Sequence, residues 1–167
     1  MNAIYQRKSI RKFTEEAIPR EKLLEFVKAG MNAPSAGNSQ PWHFIVMTDR
    51  AVLLKVLEFH PYSHPLKEAA AAVCVCAEAA LEKHKGFWVQ DCAAATENML
   101  LEIAGQGYGG VWLGVYPVEE RVKGLRSLLG VPEDIVPFSL VAVGRPAEAM
   151  DRKTIYVPEK VRSERWA

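Results

Sequence analysis

The stretch WVQDCAAATENMLLEIAGQGYGG, Trp88 to Gly110, decides the fold. Val89, Cys92, Ala93, Thr96, Met99, Leu100 and Ile103 recur at i, i+3, i+4 and i+7 spacing, one apolar stripe that predicts a helix from about Trp88 to Ala104. The glycines that follow, Gly105 to Gly110, match G-x-G-x-x-G. A dinucleotide fingerprint must follow a strand and open a helix, because the pyrophosphate rests on the helix N-terminus. Here the helix comes first and the strand-like run Val111 to Val115 comes second. The glycines therefore read as a helix stop, with a turn that lets backbone pass close to something flat. A doubly wound nucleotide-binding fold is set aside on that order.

Working outward, Leu23, Phe26, Val27 and Met31 follow helical spacing after Pro19, and the helix should stop near Asn32 to Pro34. Phe44 to Met47 reads as a short buried strand. Asp49 is placed to N-cap a helix carrying Val52, Val56 and Leu57, ending before Pro61. Ala70 to Ala77 is an apolar run rich in small residues and reads as a central strand, with a helix as the alternative. Val118, Val122, Leu125 and Leu129 predict another helix, closed by Gly130, and Phe138 to Val143 another strand. Helices mix with strands without strict alternation, so the fold class is α+β. The last stretch, Pro146 to Ala167, is polar with scattered apolar residues, among them Ile155, Tyr156 and Trp166. It cannot form a core of its own, and Trp166 suggests that it lies across another surface.

The length, 167 residues, fits one domain spanning residues 1–167 with a sizeable core. A formal net charge of +1 argues against a nucleic-acid or membrane partner held by bulk charge. No apolar region opens the chain as a signal peptide would, and no charge-free run approaches a transmembrane length. The cytoplasm is the expected location. Cys74, Cys76 and Cys92 form no disulfide pattern and read as small buried hydrophobes. His60 and His64 are separated by Pro61 and followed by Pro65, so they share no helix face. They read as surface or pocket-rim histidines, and no metal is expected.

Four segments carry candidate chemistry. Arg7-Lys8-Ser9-Ile10-Arg11-Lys12-Phe13 sets cations and a hydroxyl on alternate positions, suited to phosphate and to planar carbonyl edges, though a basic surface loop would look the same. Ala33 to Trp42, APSAGNSQPW, offers neutral amides that match donor and acceptor together on a heterocycle edge, or is an ordinary connection. Trp112 to Pro117 follows the glycines, and Gly144-Arg145-Pro146 ends the last strand.

Taken together, in order and spacing, these segments and the W-x-x-Q-D-x-A-x-A-x-x-N-M-L-L pattern of Trp88 to Leu101 resemble the nitroreductase family of flavoenzymes. The resemblance covers essentially the whole chain. It implies a central, mostly antiparallel sheet flanked by helices, an intertwined homodimer, and FMN at each subunit interface. It assigns Arg7, Lys8 and Ser9 to the FMN phosphate and ribityl chain, and Arg11 to the pyrimidine edge of the ring. Ser35, Asn38 and Gln40 match a loop reaching the FMN of the other subunit, Leu113 and Gly114 positions beside the ring, and Arg145 a phosphate-binding cation. The family often has a second Arg where this chain has Lys8, and an aromatic near the Gly144-Arg145-Pro146 turn. Arg152 or Lys153 therefore stays open as the C-terminal phosphate contact. The implied activity is hydride transfer from NADH or NADPH through FMN to a small acceptor, nitroaromatic or quinone-like, in a ping-pong order. No residue is named as catalytic acid or base, because hydride transfer needs none. The alternatives are an FMN-binding module without turnover, a family reductase acting on enones or halogenated phenols, and a non-flavin α+β domain.

Overall fold

The computed structural model describes residues 3–149 and 155–166. A one-turn helix, α1 (Ala3–Gln6), opens the chain, and α2 (Arg20–Met31) follows an extended segment. Then come β1 (Trp42–Met47), α3 (Arg50–Lys55), β2 (Ala71–Glu78), α4 (Trp88–Gly105), β3 (Gly109–Gly114), α5 (Glu119–Leu129) and β4 (Ile135–Gly144). The four strands make one antiparallel sheet in the order β1-β2-β4-β3, with a bulge between Val75 and Cys76. The fold is α+β, as the sequence predicts.

Alternation along β2 splits the core into two layers. Val73, Val75 and Ala77 face α2 and α4, meeting Phe26, Met99 and Ile103. Ala72, Cys74 and Cys76 face the other way, toward Ile10, Leu53, Leu113 and Leu125. All three cysteines are free and buried. A fully buried side chain such as Phe26 contributes roughly 1.5–3 kcal/mol. Covering both faces of one sheet explains why β2 and β4 read as continuous apolar runs.

Three local details differ from the sequence reading. Helix α1 was unforeseen, since four residues are too few for periodicity to show. The segment after Asp49 is helical only to Lys55 and then tightens into a 3-10 turn, Val56–Glu58, although Asp49 does cap it by accepting from the Ala51 N–H at 2.8 Å. Met31 belongs to the stripe of α2 but is half exposed.

The glycine run joins helix to strand, as its order required. Gly107 adopts a left-handed φ of +75°, which a side chain would resist. A Cβ on Gly109 would lie 2.7 Å from Ile10. The neighbour that comes close is thus a branched aliphatic side chain, where the sequence suggested something flat. The C-terminal residues described, 155–166, contain one 3-10 turn, and Ile155, Tyr156 and Trp166 stand exposed, Trp166 at 87%.

Candidate functional site

Strand β3 is a sheet edge, and its outer side is where the N-terminal segment docks. Ser9 bridges Gly110 in parallel fashion, and the Ile10 N–H donates to the Gly110 carbonyl at 3.0 Å. At the other end of the strand, the Gly114 carbonyl accepts from His60 Nε2 at 2.9 Å and from Arg121 Nη1 at 2.8 Å. Gly110 and Gly114 therefore both turn their backbone groups outward. Strand alternation puts the Trp112 N–H and C=O on the same outer side, midway between them.

A cavity of about 460 Å³ runs along this edge, lined by Arg11, His60, Tyr62, His64, Pro65, the Val111–Gly114 strand and Arg121. Among the described residues, two arginines and two histidines line it and no carboxylate does. Among the described residues no acid pairs with either guanidinium. The Arg11 guanidinium reaches the Ser9 carbonyl, at 3.4 Å, while its backbone N–H is held by Glu148 at 2.7 Å. That donor, more than any other group, holds the Glu148 carboxyl below its ordinary value. Arg121 lies over the Tyr62 ring, 5.3 Å from its centroid.

His60 is 1% exposed, where the sequence suggested a surface or rim position. Burial pushes its pKa below the usual imidazole value, the Gly114 bond opposes this, and Arg121 adds repulsion. Its two nitrogens suit the neutral ring: Nε2–H donates to Gly114, and Nδ1 accepts from the Tyr62 N–H at 3.3 Å.

Of the residues singled out in the sequence, Arg11, Leu113 and Gly114 meet in this cavity, with Ser9 on the adjoining segment. Arg7 is turned to Glu97 on α4 at 3.2 Å. Lys8 is near enough to Glu148 to lower its pKa. Arg145 lies elsewhere: its Nε donates to Glu16 at 2.9 Å and its guanidinium covers Tyr108 at 4.1 Å. The Glu16 bond is the main reason its pKa is raised. Arg152 and Lys153 lie outside the described residues.

Ser35, Asn38 and Gln40 line no part of the cavity in their own chain. Their loop is tightly built. The Gln40 N–H donates to Ser35 Oγ at 3.0 Å, and Gln40 Nε2 to Asn38 Oδ1 at 3.2 Å. Asn38 and Gln40 both hold left-handed φ angles, 54° and 47°. The buried Asp91 of α4 clamps the loop, accepting from the Ala36 N–H at 2.9 Å and from Ser39 Oγ at 3.3 Å. Asp91 was visible only as one letter of a helix pattern, and its anchoring role had no local signal. Arg121 and Tyr62 were equally hidden.

A larger cavity, about 630 Å³, opens at the other end of the sheet between Thr14, Arg50, Lys67 and Glu68. It mixes acids with bases, and its Arg50 is turned to the carbonyls of Ala69 and Leu66. Among the described residues no group of three or more His, Cys, Asp or Glu is placed to hold a metal, and no helix is long and apolar enough to cross a membrane.

The nitroreductase family model matches residues 4–85 and 65–145. A protein of Archaeoglobus fulgidus, provisionally assigned as an NADH dehydrogenase/NAD(P)H nitroreductase, is 49% identical over 173 residues, covering 99% of this chain and 98% of its own. The crystal structure of a provisionally assigned NADH oxidase from Clostridium acetobutylicum superposes with a TM-score of 0.94 at 38% identity, covering 98% and 99% of the two chains. A provisionally assigned nitroreductase from Desulfovibrio desulfuricans, solved in complex with FMN, gives 0.83 at 28% identity over 99% and 96%. The edge-strand cavity thus sits in a chain whose whole length follows one pattern, and the chain belongs to the nitroreductase family.

Proposed function

We propose that the protein is an FMN-dependent oxidoreductase, working as a homodimer, that carries hydride from NADH or NADPH to a small nitroaromatic or quinone-like acceptor. The observation that carries this reading is the cavity along the outer edge of β3, which among the described residues has two guanidiniums without a carboxylate partner, no carboxylate in its lining, and an outward-facing backbone donor and acceptor at Trp112. Such a lining fits a flat heterocycle whose rim alternates donors and acceptors and gains negative charge on reduction. The FMN complex of the Desulfovibrio relative supports the same choice of cofactor.

Bound FMN supplies the hydride chemistry, alternately toward nicotinamide and toward acceptor. The chain's own residues position and tune it. Arg11 offers a fixed cation to the electron-rich edge, and Leu113 and Gly114 form the wall beside the ring. Arg7, Lys8 and Ser9 are assigned to the phosphate and ribityl chain, Arg7 leaving Glu97 to do so, with Arg145 as a further phosphate cation. Ser35, Asn38 and Gln40, clamped by Asp91 away from their own cavity, are assigned to the partner's. The exposed apolar residues at 155–166 are assigned to the partner's surface for the same reason: their own chain leaves them uncovered.

The test is a titration of flavin-stripped protein with FMN and with FAD, followed by anaerobic bleaching with NADH or NADPH and reoxidation by a nitroaromatic or a quinone. FMN uptake, bleaching and reoxidation are the expected results. No uptake, or a preference for FAD, overturns the cofactor. Bleaching without reoxidation by those acceptors, or by enones and halogenated phenols, makes the protein a flavin-binding module.

A further inference from the structure

Arg121 has no place in the assignments above, yet it lines the same cavity. One of its amino groups caps the Gly114 carbonyl at 2.8 Å, and its plane lies over the Tyr62 ring. Both contacts fix the guanidinium without neutralising it. A guanidinium has five N–H donors, and one is used here. The acids nearest in sequence are directed elsewhere or outside: Glu119 pairs with Lys123 at 2.8 Å, and Glu120 does not line the cavity. Arg7 and Arg145, by contrast, each have a carboxylate. Tyr62, 70% exposed, gives Arg121 a flat wall at the cavity mouth.

We infer that Arg121 and Tyr62 form an anion-reading subsite, which recognises an anionic oxygen group on an aromatic or nucleotide ligand entering the flavin cavity. The inference rests on the function proposed above. A planar fork held from behind by a carbonyl presents its remaining donors to a carboxylate or phosphate oxygen in two-point fashion. His60 is bonded to the same carbonyl, and burial disfavours its protonated form, so the cation beside the carbonyl is Arg121. The anion has two sources: a carboxylate on the acceptor, or a phosphate of the dinucleotide reductant.

The experiment uses flavin-loaded protein and three forms: the parent, Arg121→Gln and Arg121→Lys. Benzoate and benzamide, similar in shape and different in charge, are titrated calorimetrically in the oxidised protein. NADPH and NADH are compared as reductants by stopped-flow bleaching. Arg121→Gln should lower the benzoate-to-benzamide affinity ratio about tenfold, the scale of one charge-assisted bond. Arg121→Lys should keep part of that ratio. A loss confined to benzoate assigns the acceptor, and a loss confined to NADPH assigns the 2′-phosphate of the reductant. Equal weakening of charged and neutral ligands in Arg121→Gln, or no weakening, overturns the subsite. Parent protein that takes up no FMN or does not bleach with either nicotinamide fails the proposed function instead, and flavin content of each variant separates the two failures.

Discussion

Arg11 and Arg145 flank the same docked segment, and the fold surrounds them differently. Arg11 emerges just past the Ser9–Gly110 bridge into a cavity that no carboxylate lines among the described residues. Arg145 emerges beside the Phe13–Pro146 bridge, where Glu16 takes its Nε and Tyr108 takes its face. Both regions depend on a glycine that lets the segment lie down: a Cβ on Gly109 would strike Ile10 at 2.7 Å, and one on Gly144 would strike Phe13 at 2.8 Å. The comparison teaches that a cation's availability is set by which partners the backbone brings along. One arginine is left to meet a ligand, whereas the other must exchange Glu16 for it.

Lifting the segment off β3 should have the largest effect. Gly109→Val should displace Ile10 and carry Arg11 away from β3. It should cost about 1–3 kcal/mol of stability in a urea melt, as overpacking does, and abolish most FMN uptake. Retained FMN affinity would show that the Ser9–Arg11 segment is not part of the site. Next, Arg11→Ala should weaken FMN binding by about 1.5–3 kcal/mol in a fluorescence titration, the range for a hydrogen bond to a charged group. A smaller loss than that caused by Arg145→Ala would invert the ranking drawn here.

A gentler change sharpens the other side. Glu16→Gln removes the carboxylate that holds Arg145. If Arg145 serves the FMN phosphate, this variant should bind FMN more tightly, though by roughly threefold or less, since the pair is exposed. Weaker binding would mean that Glu16 orients Arg145 for its task. The smallest effect concerns His60. Its folded pKa is lowered, so the unfolded chain takes up the proton first as pH falls. The contribution of the neutral ring is complete above the ordinary histidine value near 6.5 and is lost as the pH drops through the lowered folded value. His60→Gln should flatten the acid-side decline of the urea midpoint, and an unchanged slope would place the titrating group elsewhere.

The sequence made the periodic parts legible. The stripe of α4 ends at Gly105 within one residue of its expected limit, and the strands at 71–78 and 135–144 appear where apolar runs predict them. Arg11, Leu113 and Gly114 were legible as a group through the family pattern, and the structure brings them into one cavity. Arg121 was not, because it stands among Glu119, Glu120 and Lys123 at the start of a helix, a charged stretch that in sequence resembles any solvated helix end. His60 was hidden for a different reason. Its ring is held by a distant backbone partner, the Gly114 carbonyl, as well as by the nearby Tyr62 N–H, and no spacing rule connects His60 with Gly114.

The edge of β3 has a consequence for how the protein keeps to itself. An open strand edge is a template on which other chains can add, and sheets that expose several consecutive backbone groups invite aggregation. Here the N-terminal segment covers Gly110, and His60 with Arg121 close the Gly114 carbonyl. What remains on the outer side of the described strand is a short window around Trp112 and the Gly114 N–H, wide enough for the rim of a small molecule and too short to seed a strand. The same arrangement that admits a ligand to this edge therefore guards the edge against strand addition.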